Sequence, residues 1–177
     1  MRQLLLMRHA KSSWDDAKLS DHARPLNTRG RMAAMAMRRA MRDLGLAPDV
    51  VLVSSARRTL QTLEALEPWD RTPLVAPMDS LYLAPPDQML EALAGVSESA
   101  RSVLLLGHNP GMHDLALALL GDRVEDFANP DIRRLAEGYP TGALAEFAIP
   151  DTWASLAAGG GHLTRFLSPR DLPELSV

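Results

Sequence analysis

Leu4-Leu5-Leu6-Met7-Arg8-His9-Ala10-Lys11 is the stretch on which the reading of this chain turns. Four apolar residues in a row near the start read as a buried strand, and the first strand is placed at residues 2–8. An arginine and a histidine follow where that strand ends. In an open α/β sheet, ligands sit in the crevice beyond the carboxyl ends of the strands. Arg8 and His9 therefore stand where chemistry is usually done. The pair suits a phosphate: a guanidinium fork holds two oxygens, and a neutral imidazole nitrogen can attack phosphorus. Taken alone, the stretch reads equally well as an ordinary strand end with two polar residues, so the rest of the chain decides.

Working outward, residues 9–27 form a long polar segment with Asp15, Asp16, Asp21, His22, Arg24 and Pro25. A loop of this length is usually functional or disordered, and this one leaves the histidine, so it is read as a wall of the site. Trp14 reads either as packing this loop down or as facing a partner, and packing is the expectation, because a buried aromatic supplies large apolar area. Thr28 is read as an N-cap, and the helix behind it runs to Leu44 with Met32, Met35, Ala36 and Arg39 on one face and Gly45 as its stop. The methionines are read as core filler. Val50–Val53 is a second buried strand ending at Ser54-Ser55. A helix follows to Leu66 with Leu60, Leu63 and Leu66 inward. Leu74–Ala76 is a third strand, and Pro85-Pro86 open a helix to Ala94. Val103–Leu106 is a fourth strand ending at Gly107-His108, with a helix from Pro110 to Leu120. Residues 122–140 are polar, with one helical turn at Ile132–Leu135. Ala143–Ile149 and His162–Leu167 are two further strands, and Gly159-Gly160-Gly161 marks a flexible turn between them. Strands alternating with helices predict an α/β fold: a three-layer α/β/α sandwich with a mainly parallel central sheet of about six strands. With neither repeats nor a linker, residues 1–177 read as one domain with a loose tail after about residue 168.

Composition narrows the class. The chain has 177 residues, enough for one domain with a full core, and 46% hydrophobic residues, as in a globular protein. No apolar run approaches the ~18 residues of a membrane span, and no signal-peptide pattern opens the chain. Zero cysteines exclude disulfides and thiolate metal sites. The cytoplasm is the expected location, although absence of cysteine also fits the periplasm. A net charge of -3 gives no support to broad nucleic-acid binding. Of the 19 basic residues, 17 are arginine, with only Lys11 and Lys18 as lysines, so single arginines carry little signal.

Arg24-Pro25-Leu26, then Ser54-Ser55-Ala56-Arg57-Arg58-Thr59-Leu60-Gln61-Thr62, then Gly107-His108-Asn109-Pro110 complete the context. This set, in this order, resembles the histidine phosphatase superfamily, the phosphoglycerate-mutase-like enzymes. The Arg-His-Ala-Lys start, the Arg-Pro-Leu segment and the His-Asn-Pro turn look most like its SixA-like phosphohistidine phosphatase branch. The resemblance runs from about Gln3 to Leu167. It implies that His9 is the nucleophile, passing through a phosphohistidine, and that Arg8 and Arg58 clamp the phosphate. In the family pattern the arginine lies four residues after the first serine, which is Arg58 and not Arg57; Thr62 stands where the family has its threonine. Arg24 is implied to help bind phosphate, and His108 to be the second site histidine. To attack, His9 must be neutral, with its other ring nitrogen held by a backbone acceptor. His22, His113 and His162 have no catalytic counterpart, and their spacing is not that of a metal site.

Two departures stand out. Ala10 replaces the glycine of much of the superfamily. The mutases and acid phosphatases carry a carboxylic acid for the leaving group, and the nearest match here is Asp79, either a possible acid or a turn cap. The implied activity is that of a metal-independent phosphatase without cofactors, acting on a protein partner that carries phosphohistidine. Neither nucleic acid nor membrane is expected as a partner, and the sequence sets no oligomeric state. A small-molecule phosphomonoester phosphatase is the alternative within enzymes. A non-catalytic phosphate-recognition module is the alternative from another class.

Overall fold

Along β1 (Arg2–Arg8) both faces are buried, with Leu4 and Leu6 in one apolar cluster and Leu5 and Met7 in another. A strand buried on both sides needs cover on both sides, which is the condition for a sheet sandwiched between helices. The computed structural model, which describes residues 1–173, meets it. In chain order the remaining elements are α1 (Thr28–Asp43), β2 (Val50–Ser54), α2 (Arg57–Leu66), β3 (Leu74–Met78), α3 (Pro86–Ala94), β4 (Ser102–Gly107), α4 (Gly111–Leu120), α5 (Pro130–Glu137), β5 (Leu144–Ile149) and β6 (His162–Leu167). Met37 and Met41 of α1 and Leu63 and Leu66 of α2 cover the face shown by Leu5 and Met7. Met89 and Leu93 of α3, Met112 and Leu115 of α4 and Ile132 and Leu135 of α5 cover the face shown by Leu4 and Leu6.

The sheet order is β3-β2-β4-β1-β5-β6. Pairings β1–β4, β2–β4 and β2–β3 are parallel, while β5 runs against both β1 and β6. The mainly parallel, six-stranded, three-layer fold predicted from the sequence is therefore the fold observed. β1 and β4 lie side by side at the centre, in register from Gln3 opposite Ser102 to Arg8 opposite Gly107. The residues that follow them, His9 and His108, consequently emerge at the same edge of the sheet.

Several local expectations are corrected. The N-cap of α1 is Asn27, whose side chain accepts the Gly30 N–H at 2.8 Å, and not Thr28. The buried residues of α1 are Gly30, Ala34, Ala36, Met37 and Met41, so Ala36 is inward as expected; Met32 and Met35 face outward and are not core filler. Leu60 is 38% exposed and not part of the core, because Arg58, Thr59 and Thr62 of α2 turn inward toward the strand ends with Leu63 and Leu66. Trp14 does not pack into the interior. The single turn expected near Ile132 is a two-turn helix, α5, opened by Asn129, whose side chain accepts from Asp131 N–H and Ile132 N–H. β3 extends through Pro77, which an edge strand tolerates. The glycine run is not loose: Gly159 N–H and Gly161 N–H donate to the carbonyls of Ala118 and Leu119, docking it on the end of α4. Past residue 168, Pro169–Asp171 form a 3-10 turn in which Asp171 accepts from the Ser168 N–H and from Arg134. The end of the expected loose tail, residues 174–177, lies outside the described residues.

Candidate active site

His9 is fixed by its backbone before its side chain is considered. Its N–H donates to the Gly107 carbonyl of β4 at 3.1 Å, and its carbonyl accepts from the Gly142 N–H at 2.9 Å. The next residue, Ala10, donates its N–H to Thr62 Oγ1 at 3.0 Å, and the Thr62 hydroxyl donates to the Arg58 carbonyl at 2.7 Å. Thr62 thus ties the start of the loop to the helix that carries Arg58. Ala10 is itself fully buried.

The imidazole of His9 is almost buried, and its Nδ1–H donates to the Ala10 carbonyl at 2.6 Å. That bond places the proton on Nδ1 and leaves a lone pair on Nε2. Arg58 Nε donates toward this Nε2 at 3.3 Å. Burial, helped by the charges of Arg58, Arg8 and Arg24, pushes the His9 pKa down to about 4, although the Ala10 carbonyl acts in the opposite direction. The ring is therefore neutral at pH 7.

His108 sits 5.3 Å from His9, ring centre to ring centre. Burial and the neighbouring His9 and Arg58 push its pKa down to about 3. Its Nε2 lies 2.8 Å from Ser54 Oγ, and Ser54 Oγ accepts the Ala56 N–H. Ser54 Oγ keeps both a hydrogen to donate and a second lone pair, so this contact fits either tautomer of His108. Among the described residues His108 Nδ1 has no hydrogen-bond partner.

The arginines close the ring. Arg8, at the end of β1, donates from Nη1 to the Tyr139 carbonyl at 2.9 Å, and its buried Nε has no partner among the described residues. Arg58 is almost completely buried; besides Nε it donates from Nη1 to the Asp21 carbonyl at 2.7 Å and from Nη2 to Asp21 Oδ2 at 3.0 Å. Arg24, also buried, donates from Nε to Asp21 Oδ1 at 3.1 Å and from Nη1 to Ser12 Oγ at 2.8 Å. Arg57, one residue away from Arg58, is exposed and donates to the Ala23 carbonyl at 3.4 Å. Arg8, His9, Arg24, Arg58 and His108 all line one open cleft of about 460 Å³.

Asp79 is not part of this assembly. It is exposed at the start of a 3-10 turn, its carbonyl accepts the Tyr82 N–H, and it is not among the residues lining the cleft. The carboxylate of the cleft is Asp21, which the sequence places in the wall of the site without a role of its own. The Tyr82 hydroxyl donates to Asp21 Oδ2, and this bond, with those from Arg58 and Arg24, holds the Asp21 carboxyl well below the usual range, at about 2. Tyr82 was also missed; its ring packs edge-on against His108 at 5.4 Å and His22 at 4.8 Å. The only clue in the sequence was that Asp21 stands three residues before Arg24, in a segment already read as a wall of the site.

A second depression, of about 520 Å³ between β3 and α3, is apolar, with Glu91 the one charged side chain in its lining. It offers no counterpart to the histidines and arginines at the strand ends. Among the described residues no group of three His, Cys, Asp or Glu side chains could hold a metal ion, and no helix is long and apolar enough to cross a membrane.

Comparison with known proteins gives consistent likenesses. Residues 4–76 match the model of the histidine phosphatase superfamily (branch 1). A protein of Mycobacterium tuberculosis (strain H37Rv) without an assigned function is 34% identical over 167 residues, covering 93% of this chain and all of the relative. A solved structure from Nakamurella multipartitia, described as a candidate phosphohistidine phosphatase SixA, is 31% identical with a TM-score of 0.82, over 95% of this chain and 96% of that one. The protein histidine phosphatase SixA, solved with tungstate, is 25% identical with a TM-score of 0.74, over 96% of this chain and 98% of that one.

Proposed function

The chain belongs to the histidine phosphatase superfamily and is a phosphatase; from that premise we propose that it removes the phosphoryl group from phosphohistidine on a protein partner, by way of a phosphohistidine on its own His9. The observation that carries the reading is the state of His9: neutral, with its proton held by the Ala10 carbonyl and its Nε2 lone pair beside Arg58. Nε2 attacks phosphorus while the bond from phosphorus to the substrate imidazole breaks. The departing imidazole takes a proton from solvent in the open cleft. Water then attacks the phosphohistidine, releasing inorganic phosphate and restoring His9. Arg8, Arg24 and Arg58 offset the charge on the transferring oxygens, and His108 stands beside them, its ring centre 5.3 Å from that of His9. With three guanidinium groups supplying the positive charge, no metal is called upon.

The choice of substrate follows from the leaving group. An ester expels an alkoxide, which needs a positioned acid. Asp21, the carboxyl in the cleft, is held ionised by Tyr82, Arg58 and Arg24, so it has no proton to give at pH 7. A phosphohistidine protonated on its far ring nitrogen expels neutral imidazole, and with a free pKa of about 6.5 that ring takes the proton from solvent, so no positioned acid is needed. The likeness to a protein named as a protein histidine phosphatase supports the same class. The test is catalytic efficiency on proteins phosphorylated on histidine against that on sugar and glycerol phosphates, before and after dialysis against a chelator. The phosphohistidine proteins should be preferred, and the chelator should leave the rate unchanged. A clear preference for the esters would make this a small-molecule phosphatase instead.

A further inference from the structure

Two apolar side chains in the lining of the cleft have no part in the chemistry above, and both are held out into solvent. Leu83 is 51% exposed and Trp14 is 75% exposed. Single exposed apolar residues are common and need no explanation. These two differ in how they are held.

Leu83 has φ +50°, the one positive value at a non-glycine position among the described residues. For a bulky L-residue this backbone state is an outlier and persists only where the surroundings impose it. They do so here from both sides. The preceding Tyr82 is anchored through its hydroxyl to Asp21 and through its ring to His108. The following Ala84 is buried, and its carbonyl lies so close to Gly111, at the start of α4, that a Cβ there would stand 1.9 Å from it. The chain accepts a strained residue and spends it on an apolar side chain at the mouth of the cleft.

Trp14 is immobilised differently. The Arg24 guanidinium lies 3.4 Å from the centre of its ring, and Arg24 is itself tied to Ser12 Oγ and to the Ser13 carbonyl. A cation over an indole face is a favourable contact, and one face of the ring remains available. Rigid aromatic and aliphatic groups of this kind are what a protein interface uses as anchors, since little side-chain entropy is lost on contact.

We infer that Trp14 and Leu83 form a docking rim for the apolar surface that surrounds the phosphohistidine of a protein partner. The inference rests on the phosphohistidine reading given above and adds the surface that recognises the partner. Its continuity with the cleft selects the occupant: whatever covers the rim during turnover must also deliver a phosphoryl group to His9. A free phosphorylated amino acid reaches the clamp without needing either side chain. A folded partner brings a surface that meets both.

The experiment compares Trp14→Ala, Leu83→Ala and Leu83→Gly with the parent on two probes that share the phosphorus–nitrogen bond: proteins phosphorylated on histidine with phosphoramidate, and free N-phosphohistidine. On the proteins, kcat/KM should fall by about fivefold or more in each variant, the size that marks an anchoring interface side chain. On the free amino acid it should stay within about twofold, since neither residue belongs to the clamp. Leu83→Gly relieves the strained backbone, so its Tm should hold or rise while protein turnover falls. Equal losses on both probes would overturn the inference in favour of a purely structural role, and so would full activity of all three variants on the proteins. If the parent itself fails on phosphohistidine proteins yet cleaves esters, the underlying reading fails, and the docking rim fails with it.

Discussion

His9 and Arg58 show how much of the chemistry rests on single bonds. Nδ1–H to the Ala10 carbonyl sets the tautomer, and Arg58 reaches both the reactive nitrogen and Asp21. Removing a donor that stabilises developing charge costs about 10²–10³ in rate, and Arg58→Ala should show a loss of that order with the fold retained. Arg57→Ala, which gives up an exposed contact to the Ala23 carbonyl, should be close to the parent. Steady-state rates on an aryl phosphate decide it; a greater loss for Arg57→Ala would mean that the wrong arginine has been placed in the site. The two buried histidines also make stability depend on pH. Unfolded, each binds a proton near pH 6.5; folded, His9 does so near 4 and His108 near 3. Between pH 6.5 and 4 the unfolded chain therefore holds more protons, and stability must fall as the pH falls through that window. The urea midpoint should drop more steeply between pH 7 and pH 5 for the parent than for a His9→Gln, His108→Gln double variant, and parallel curves would contradict this. At this scale the sequence was readable wherever a residue was tied to a strand end by spacing. Asp21 and Tyr82 were not, because a hydrogen bond between side chains 61 residues apart leaves no local pattern.

At the scale of elements, close backbone approaches place the loops. A Cβ at Gly30 would stand 2.1 Å from the Lys11 carbonyl, and one at Gly111 would stand 1.9 Å from that of Ala84. The first contact seats α1 against the loop that follows His9; the second seats α4 against the segment bearing Tyr82 and Leu83. Gly111→Ala should therefore cost about 1–3 kcal/mol, the range for overpacking a filled site, because backbone and not a flexible side chain must give way. A denaturant titration measures it, and an unchanged midpoint would show that the approach is looser than described. Element types followed directly from hydrophobic runs and breakers, but faces did not. In α1 a purely apolar count favoured Met32 and Met35, whereas the packed stripe runs through Gly30 and Ala34, whose small size is what lets the helix sit close. In α2 the inward turn of Arg58, Thr59 and Thr62 serves the site at the expense of Leu60, which periodicity alone would have buried.

For the whole molecule, strand order does the assembling. β1 and β4 are adjacent and parallel although they lie far apart in the chain, so His9 and His108 meet without either being placed by its neighbours in sequence. α2 follows β2 and brings Arg58 to the same edge, and the loop after β1 folds back to supply Arg24 and Asp21. The alternation of strands and helices foretold the three layers, while the meeting of Tyr82 with Asp21 required the finished sheet. The result is one open cleft in which a neutral imidazole faces three guanidinium groups. Passage of the phosphoryl group through His9 can be observed directly. Rapid mixing of the enzyme with a protein labelled on histidine with ³²P, followed by an alkaline quench that preserves phosphorus–nitrogen bonds, and peptide mass analysis, should catch one phosphoryl group on the peptide containing His9, absent from His9→Ala. Release of phosphate with no label on the enzyme at any time, or label on a residue other than His9, would contradict the account.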